Sequence, residues 1–117
     1  AKEGGGSLHA LVDPLKAVTN AQAIYTDVWT SMGFESKDSA SAGEDESARD
    51  QTFGAYQVNE ALYSLAAKDA VVMHCMPVIR GKEIVDSLID GPMSVLFKQS
   101  ENRLHVQKAL LLHLFES

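Results

Sequence analysis

The sequence holds a single cysteine, so no disulfide can close within the chain, and a reducing compartment such as the cytoplasm is the expected setting. It holds no apolar run near the roughly 18 residues that cross a bilayer, which removes a membrane-spanning helix from consideration. Its first residues lack the apolar core of a secretory signal. Basic residues are few: 10 Lys and Arg stand against 16 Asp and Glu, for a net charge of -6. That balance argues against a nucleic-acid partner, whose phosphates are held by clustered cations. There is no internal repeat, no G-x-G-x-x-G and no Walker pattern, so no nucleotide is implied.

What is present suits one folded domain. The chain has 117 residues and a hydrophobic fraction of 45%, enough to build a core. Residues 7–12 read as a short strand, closing on Leu11 and Val12. Asp13 and Pro14 then open a helix as N-cap and first helical residue. Residues 23–29 form the next strand, rich in Ile, Tyr, Thr and Val. Residues 58–69 read as a helix capped near Asn59, with Ala61, Leu62, Leu65 and Ala66 on one face. Residues 70–76 are nearly all apolar, as in a strand covered on both sides. A short helix over 83–90 stops at Gly91-Pro92. A strand over 94–99 and a last helix over about 102–116 complete the pattern.

Strands alternating with helices predict an α/β class, Rossmann-like, with a mostly parallel sheet and flanking helices. One segment departs from it. Between Glu35 and Asp50 lie six acidic and two basic residues and almost no apolar side chain. Such a stretch buries too little to offset its ordering entropy, so a mobile acidic loop is expected over about 34–52, with a poor helix near 44–52. A solvated loop and a lid that orders over a ligand are the two readings of it.

In sheets of this class ligands sit beyond the C-terminal ends of the strands. That rule selects residues 27–33, 74–80 and 99–103. Asp27 can hold an ammonium group, and Ser31 with the amides of its turn can hold a carboxylate; both can equally well stabilise the turn alone. Cys75 is no metal ligand by its neighbours, because His74 and Cys75 face opposite sides of a strand and no other His or Cys stands at ligand spacing. A nucleophile there needs a base, and a buried structural thiol needs nothing more. Arg103 follows Glu101 and Asn102 where a strand is expected to meet a helix, a place suited to an anion or to a surface ion pair.

The segments "YTDVWTSMG", "YQVNEAL", "MHCMPVIRG" and "FKQSENRLHVQKALLLHL" resemble, in order and spacing, the C-terminal ornithine-binding portion of the ornithine carbamoyltransferases, over about residues 5–117. D-x-x-x-S-M-G, H-C-x-P and E-N-R in one order are far more specific than any one of them. The resemblance implies transfer of a carbamoyl group from carbamoyl phosphate to L-ornithine, giving citrulline and phosphate, without metal or organic cofactor. It implies that Asp27, Ser31 and Met32 hold the amino-acid end of ornithine. Cys75 would orient the ligand beside Asp27 rather than attack it, with Met76 giving backbone toward the carbamoyl group and Arg103 binding carbamoyl phosphate. A homo-oligomer, the family trimer, is implied too. Substrates such as putrescine or an N-acylated ornithine, and a non-catalytic self-associating module, are the alternatives.

Three departures from the pattern stand out. H-C-M-P replaces the usual H-C-L-P, a swap of similar volume. The acidic stretch after Gly33 is longer than usual. The phosphate-binding S-T-R-T loop and the H-P-x-Q segment of the family's N-terminal carbamoyl phosphate domain do not occur. Two central strands of the ornithine domain are also missing by this reading. The strand at 7–12 would then be cut off from those at 23 and 70, in a fragment expected to be inactive alone and to self-associate or exchange strands between copies.

Overall fold

The computed structural model describes residues 4–29 and 42–116. Ser31, Met32 and Gly33, and the acidic residues 34–41, lie outside that description. At the centre two parallel strands, β1 (Ala23–Thr26) and β2 (Val71–His74), pair in register from Ala23 opposite Val71 to Thr26 opposite His74. Among the described residues five α-helices flank them, α1 (Pro14–Val18), α2 (Ala42–Phe53), α3 (Glu60–Tyr63), α4 (Asp86–Ile89) and α5 (Leu96–Glu116), with a short 3-10 turn at Gly54–Tyr56. The α/β class, with a parallel sheet and flanking helices, is therefore what the chain forms.

Local chemistry accounts for the short helices. The Asp13 carboxylate accepts the amides of Leu15 and Lys16, and Pro14 stands at the start of α1. The Asn59 side chain accepts the amide of Leu62 and starts α3, two residues later than a helix over 58–69 would begin and well short of its end. The acidic stretch is helical over Ala42–Phe53. Lys82 holds this helix to the body through Asp50 at 3.0 Å, and Trp29 stacks on Phe53 at its far end.

The core is a single cluster of Val18, Ile24, Val58, Leu62, Val72, Ile84, Ile89 and Leu96. Each such side chain contributes roughly 1.5–3 kcal/mol on leaving water. One residue from nearly every element reaches it, so the two strands, though short, are held through their buried face, while Ala23 and Tyr25 on the other face of β1 stay exposed. The turn after β2 is tied in by backbone bonds: Val58 donates to Glu83, and Val85 donates to Val58. The Gln57 amide adds bonds to the carbonyls of Gly81 and Lys82.

Two expected strands are absent among the described residues. Residues 7–12 form no strand; their tie to the body is the Tyr56 hydroxyl, which donates to the Val12 carbonyl at 2.9 Å. A parallel strand needs a crossover of about a dozen residues or more, and residues 13–22 are too few to carry this segment back onto β1. Residues 94–99 pair only at Ser94, which bridges Val72; the helix has begun by Leu96, where a strand was expected. No glycine or proline follows Pro92, and Leu, Lys, Gln, Glu and Arg favour helix, so α5 extends back to the core through buried Leu96.

Candidate functional site

The register of the sheet builds the site. Thr26 is paired with His74, so the next residue on each strand, Asp27 and Cys75, emerges at the same level. The Cys75 thiol donates to Asp27 Oδ1 at 2.7 Å, and the Val28 amide donates to the same oxygen at 2.7 Å. The thiol first, and the amide next, hold the Asp27 carboxyl below its usual range. Burial, then the Asp27 hydrogen bond and charge, push the Cys75 thiol above its usual value. At neutral pH the pair is therefore a thiol donor on a carboxylate, not a thiolate, and a thiol in that state is a poor nucleophile. The arrangement presents a fixed negative charge at a strand end.

His74 lies beneath them and is fully buried. Its Nδ1 accepts the Met76 amide at 2.8 Å and stands 3.9 Å from the Cys75 sulfur. An acceptor Nδ1 puts the ring proton on Nε2. Burial lowers the His74 pKa, partly offset by the charges of Glu83 and Asp27, so the ring is neutral near pH 7. This bond fixes Met76 at φ 57, a left-handed conformation that a residue with a side chain adopts only when held. The Met76-Pro77 peptide is cis. Glu83, also fully buried, accepts the Ile79 amide at 3.0 Å and so holds the far side of the turn.

The third strand end is replaced by the start of α5. The Gln99 side-chain oxygen accepts the His74 amide at 3.2 Å, and its nitrogen donates to the Tyr25 hydroxyl at 3.1 Å. One residue thus joins both strands to α5. Arg103 lies one turn further along the same helix, exposed, in a shallow groove of about 280 Å3 with Gln99, Asn102, Val106 and Gln107. It is not in the larger cavity of about 380 Å3 that runs along β1 and has Asp27, Tyr56 and Leu11 among its walls. The structure therefore brings Asp27, Cys75 and the Met76 backbone together and sets Arg103 apart on the helix surface. The sequence placed Gln99 within a candidate strand end, 99–103, without giving it a role, and singled out neither Tyr25 nor Glu83. Nothing in its neighbours marked Glu83, which directly follows Arg80, Gly81 and Lys82.

The profile described as "Aspartate/ornithine carbamoyltransferase, Asp/Orn binding domain" matches residues 1–114. The chain is 52% identical over 110 residues to an ornithine carbamoyltransferase of Syntrophus aciditrophicus, covering 94% of this chain and 34% of that protein. It is 50% identical to one from Thermococcus kodakarensis, over 95% of this chain and 33% of that protein. Among solved structures, ornithine carbamoyltransferase from Pyrococcus furiosus superimposes with a TM-score of 0.80 at 49% identity, over 94% of this chain and 33% of that one. An N-acetyl-L-ornithine transcarbamylase superimposes with a TM-score of 0.72 at 31% identity, over 94% of this chain and 31% of that one. The chain spans about a third of the length of the curated relatives it matches. A profile match running nearly end to end, with relatives at about 50% identity over nearly all of its residues, places the chain in the aspartate/ornithine carbamoyltransferase family.

Proposed function

We infer that this chain supplies the amino-acid half of a carbamoyltransferase site, with L-ornithine as its ligand. The observation that carries the reading is the Cys75 thiol set on the Asp27 carboxylate at the level where the two parallel strands end. Asp27 receives an ammonium group of ornithine, with Ser31 and Met32 at the amino-acid end. Cys75 keeps Asp27 aimed and flanks the ligand. The Met76 backbone faces the carbamoyl group, and Arg103 meets carbamoyl phosphate. In the reaction the neutral δ-amine forms a bond to the carbamoyl carbon, the carbon–oxygen bond to phosphate breaks, and the amine gives up a proton. Placement and charge carry such a step, since a well-aimed amine needs no covalent intermediate.

The carbamoyl phosphate side of the site is assigned to an N-terminal domain of the kind the longer relatives have room for. The 117-residue chain alone is then silent in a citrulline assay with ornithine and carbamoyl phosphate, and gains turnover when mixed with that complementary half. Turnover by the chain alone would sink this division of labour. Amide shifts at Val28 and Met76 on adding ornithine, and none on adding carbamoyl phosphate, are expected by NMR. An N-acylated ornithine is the second reading, favoured by the likeness to the N-acetyl-L-ornithine transcarbamylase. The same titration separates the two ligands. The Ser31-Met32-Gly33 segment, which matches the free amino-acid end, favours ornithine.

A further inference from the structure

The turn after β2 closes around two buried titratable side chains that the proposed reaction leaves unused, His74 at its start and Glu83 at its end. Each is half satisfied. His74 Nδ1 accepts the Met76 amide at 2.8 Å, and a backbone amide can only donate, so the ring proton sits on Nε2. That Nε2 is enclosed and meets no hydrogen-bond partner among the described residues. Glu83 Oε2 accepts the Ile79 amide at 3.0 Å, while Oε1 is equally enclosed and equally without a donor. A buried donor and a buried acceptor thus share one turn, close enough for the Glu83 charge to act on the ring. A third such atom adjoins them. Ser94 bridges Val72, and Val72 and His74 point to one face of β2, where Ser94 Oγ is also enclosed and unmatched. The one other such atom among the described residues, Asp50 Oδ1, faces Lys82 at 3.0 Å. Enclosed polar groups without partners cost stability, so three of them beside one strand call for a shared partner.

We propose that one internal water joins His74 Nε2–H, Glu83 Oε1 and Ser94 Oγ, and that Glu83 is thereby a positioning residue for the Met76 backbone. The water accepts from Nε2–H and donates one proton to Glu83 and the other to Ser94, the bond number usual for a buried water. A ring whose Nε2–H is held in this way has Nδ1 fixed as an acceptor, and Nδ1 in turn keeps Met76 at φ 57. With the proton on Nδ1 instead, two donors would face each other at Met76, and the left-handed residue would lose its hold. Cys75 takes no part, because its thiol is committed to Asp27. Glu83 does not touch the ligand; it acts from the interior, through the water and the ring. Its bearing on catalysis rests on the carbamoyltransferase reading, in which the Met76 backbone faces the carbamoyl group, whereas the water site stands without it.

NMR on the 117-residue chain without substrate tests this, so its outcome is separate from that of the citrulline assay and the ornithine titration. His74 is the buried one of the four histidines, which sets its ring signals apart. Two-bond nitrogen–proton correlation at neutral pH should show its ring as the Nε2–H form. That proton should exchange slowly enough to be observed and should give a cross-peak to a long-lived water. Glu83→Gln keeps the shape and a polar end, and should keep both the tautomer and the cross-peak. Glu83→Met should abolish the cross-peak, speed exchange of Nε2–H by about tenfold or more, and shift the Met76 amide. Ser94→Ala is the gentler change, informative even where Glu83→Met does not fold. It should weaken the cross-peak by about twofold or more while the Met76 amide stays in place. An Nδ1–H tautomer in the parent chain overturns the proposal. So does an Nε2–H without a water cross-peak, which would mean a direct bond to Glu83. A cross-peak untouched by Glu83→Met and Ser94→Ala, or one lost with Glu83→Gln, overturns it as well.

Discussion

At Asp27 and Cys75 each group sets the other's proton affinity. The thiol lowers the carboxyl and the carboxylate raises the thiol, on top of the rise due to burial. Asp27→Asn removes the charge but keeps the shape, so the Cys75 pKa falls and more thiolate is present at a given pH. Alkylation of Cys75 by iodoacetamide at pH 8 should speed up about 3–10-fold, since each unit of pKa changes the thiolate fraction about tenfold. An unchanged rate would mean that the thiol does not face the carboxylate. His74 makes a second, separate prediction. Its pKa is lowered in the folded chain relative to an ordinary imidazole near 6.5, so folding favours the neutral ring. The stability this contributes is complete above about pH 6.5 and is lost as pH falls through the depressed value. Urea unfolding between pH 5 and 8 should show stability declining on the acid side, and His74→Phe should flatten that part of the curve. The phenylalanine leaves the Met76 amide without its acceptor, at a cost of about 1–3 kcal/mol at neutral pH.

Among the elements, the parallel pairing of the strands at 23 and 70 was legible because each is a short β-branched or apolar run bounded by turn residues. Asp13 and Asn59 were legible as caps because capping depends on one side chain and its next few amides. The helix at 94–99 was not. Periodicity cannot separate a short apolar run from the first turns of a helix, and the choice is made by tertiary contacts: Leu96 in the core, and Gln99 bridging His74 and Tyr25. The same limit hid the site's supports. Asp27 and Cys75 stand out by motif, whereas Gln99 and Glu83 acquire their roles only from a register that places them near the strand ends. The clamp on the two strands can be measured. Ile84 is fully buried in the core cluster and bridged to Val58, so Ile84→Ala should destabilise the chain by about 2–5 kcal/mol in chemical unfolding. A loss below about 0.5 kcal/mol would show that the turn after β2 is not part of the core.

Over the whole molecule the packing is uneven. The radius of gyration is 17.3 Å, against about 13 Å for a compact chain of this length. The excess fits α5, a helix of 21 residues of which Leu96 is the buried one. Beyond the Gln99 anchor it presents Leu104, Val106, Leu110, Leu111, Leu112 and Phe115 to solvent. A monomeric soluble protein rarely carries so continuous an apolar face. Its presence fits a chain that spans about a third of its relatives' length. Stability in the isolated chain should therefore reside in the sheet, its clamps and the first turns of α5, while the distal turns rest on helix propensity alone, which is marginal in water. Amide exchange should be slow through Gln99 and fast beyond about Leu104. Leu111→Asp with Phe115→Asp should shift the unfolding midpoint by less than about 0.5 kcal/mol equivalent, because neither side chain leaves a core when it is replaced. The pair of substitutions is thus opposite in its consequence to Ile84→Ala, although all three positions are large and apolar in the sequence. A large loss of stability from the α5 variant would mean that the helix already packs on something in the isolated chain, and light scattering on the same sample would show whether that is a second copy.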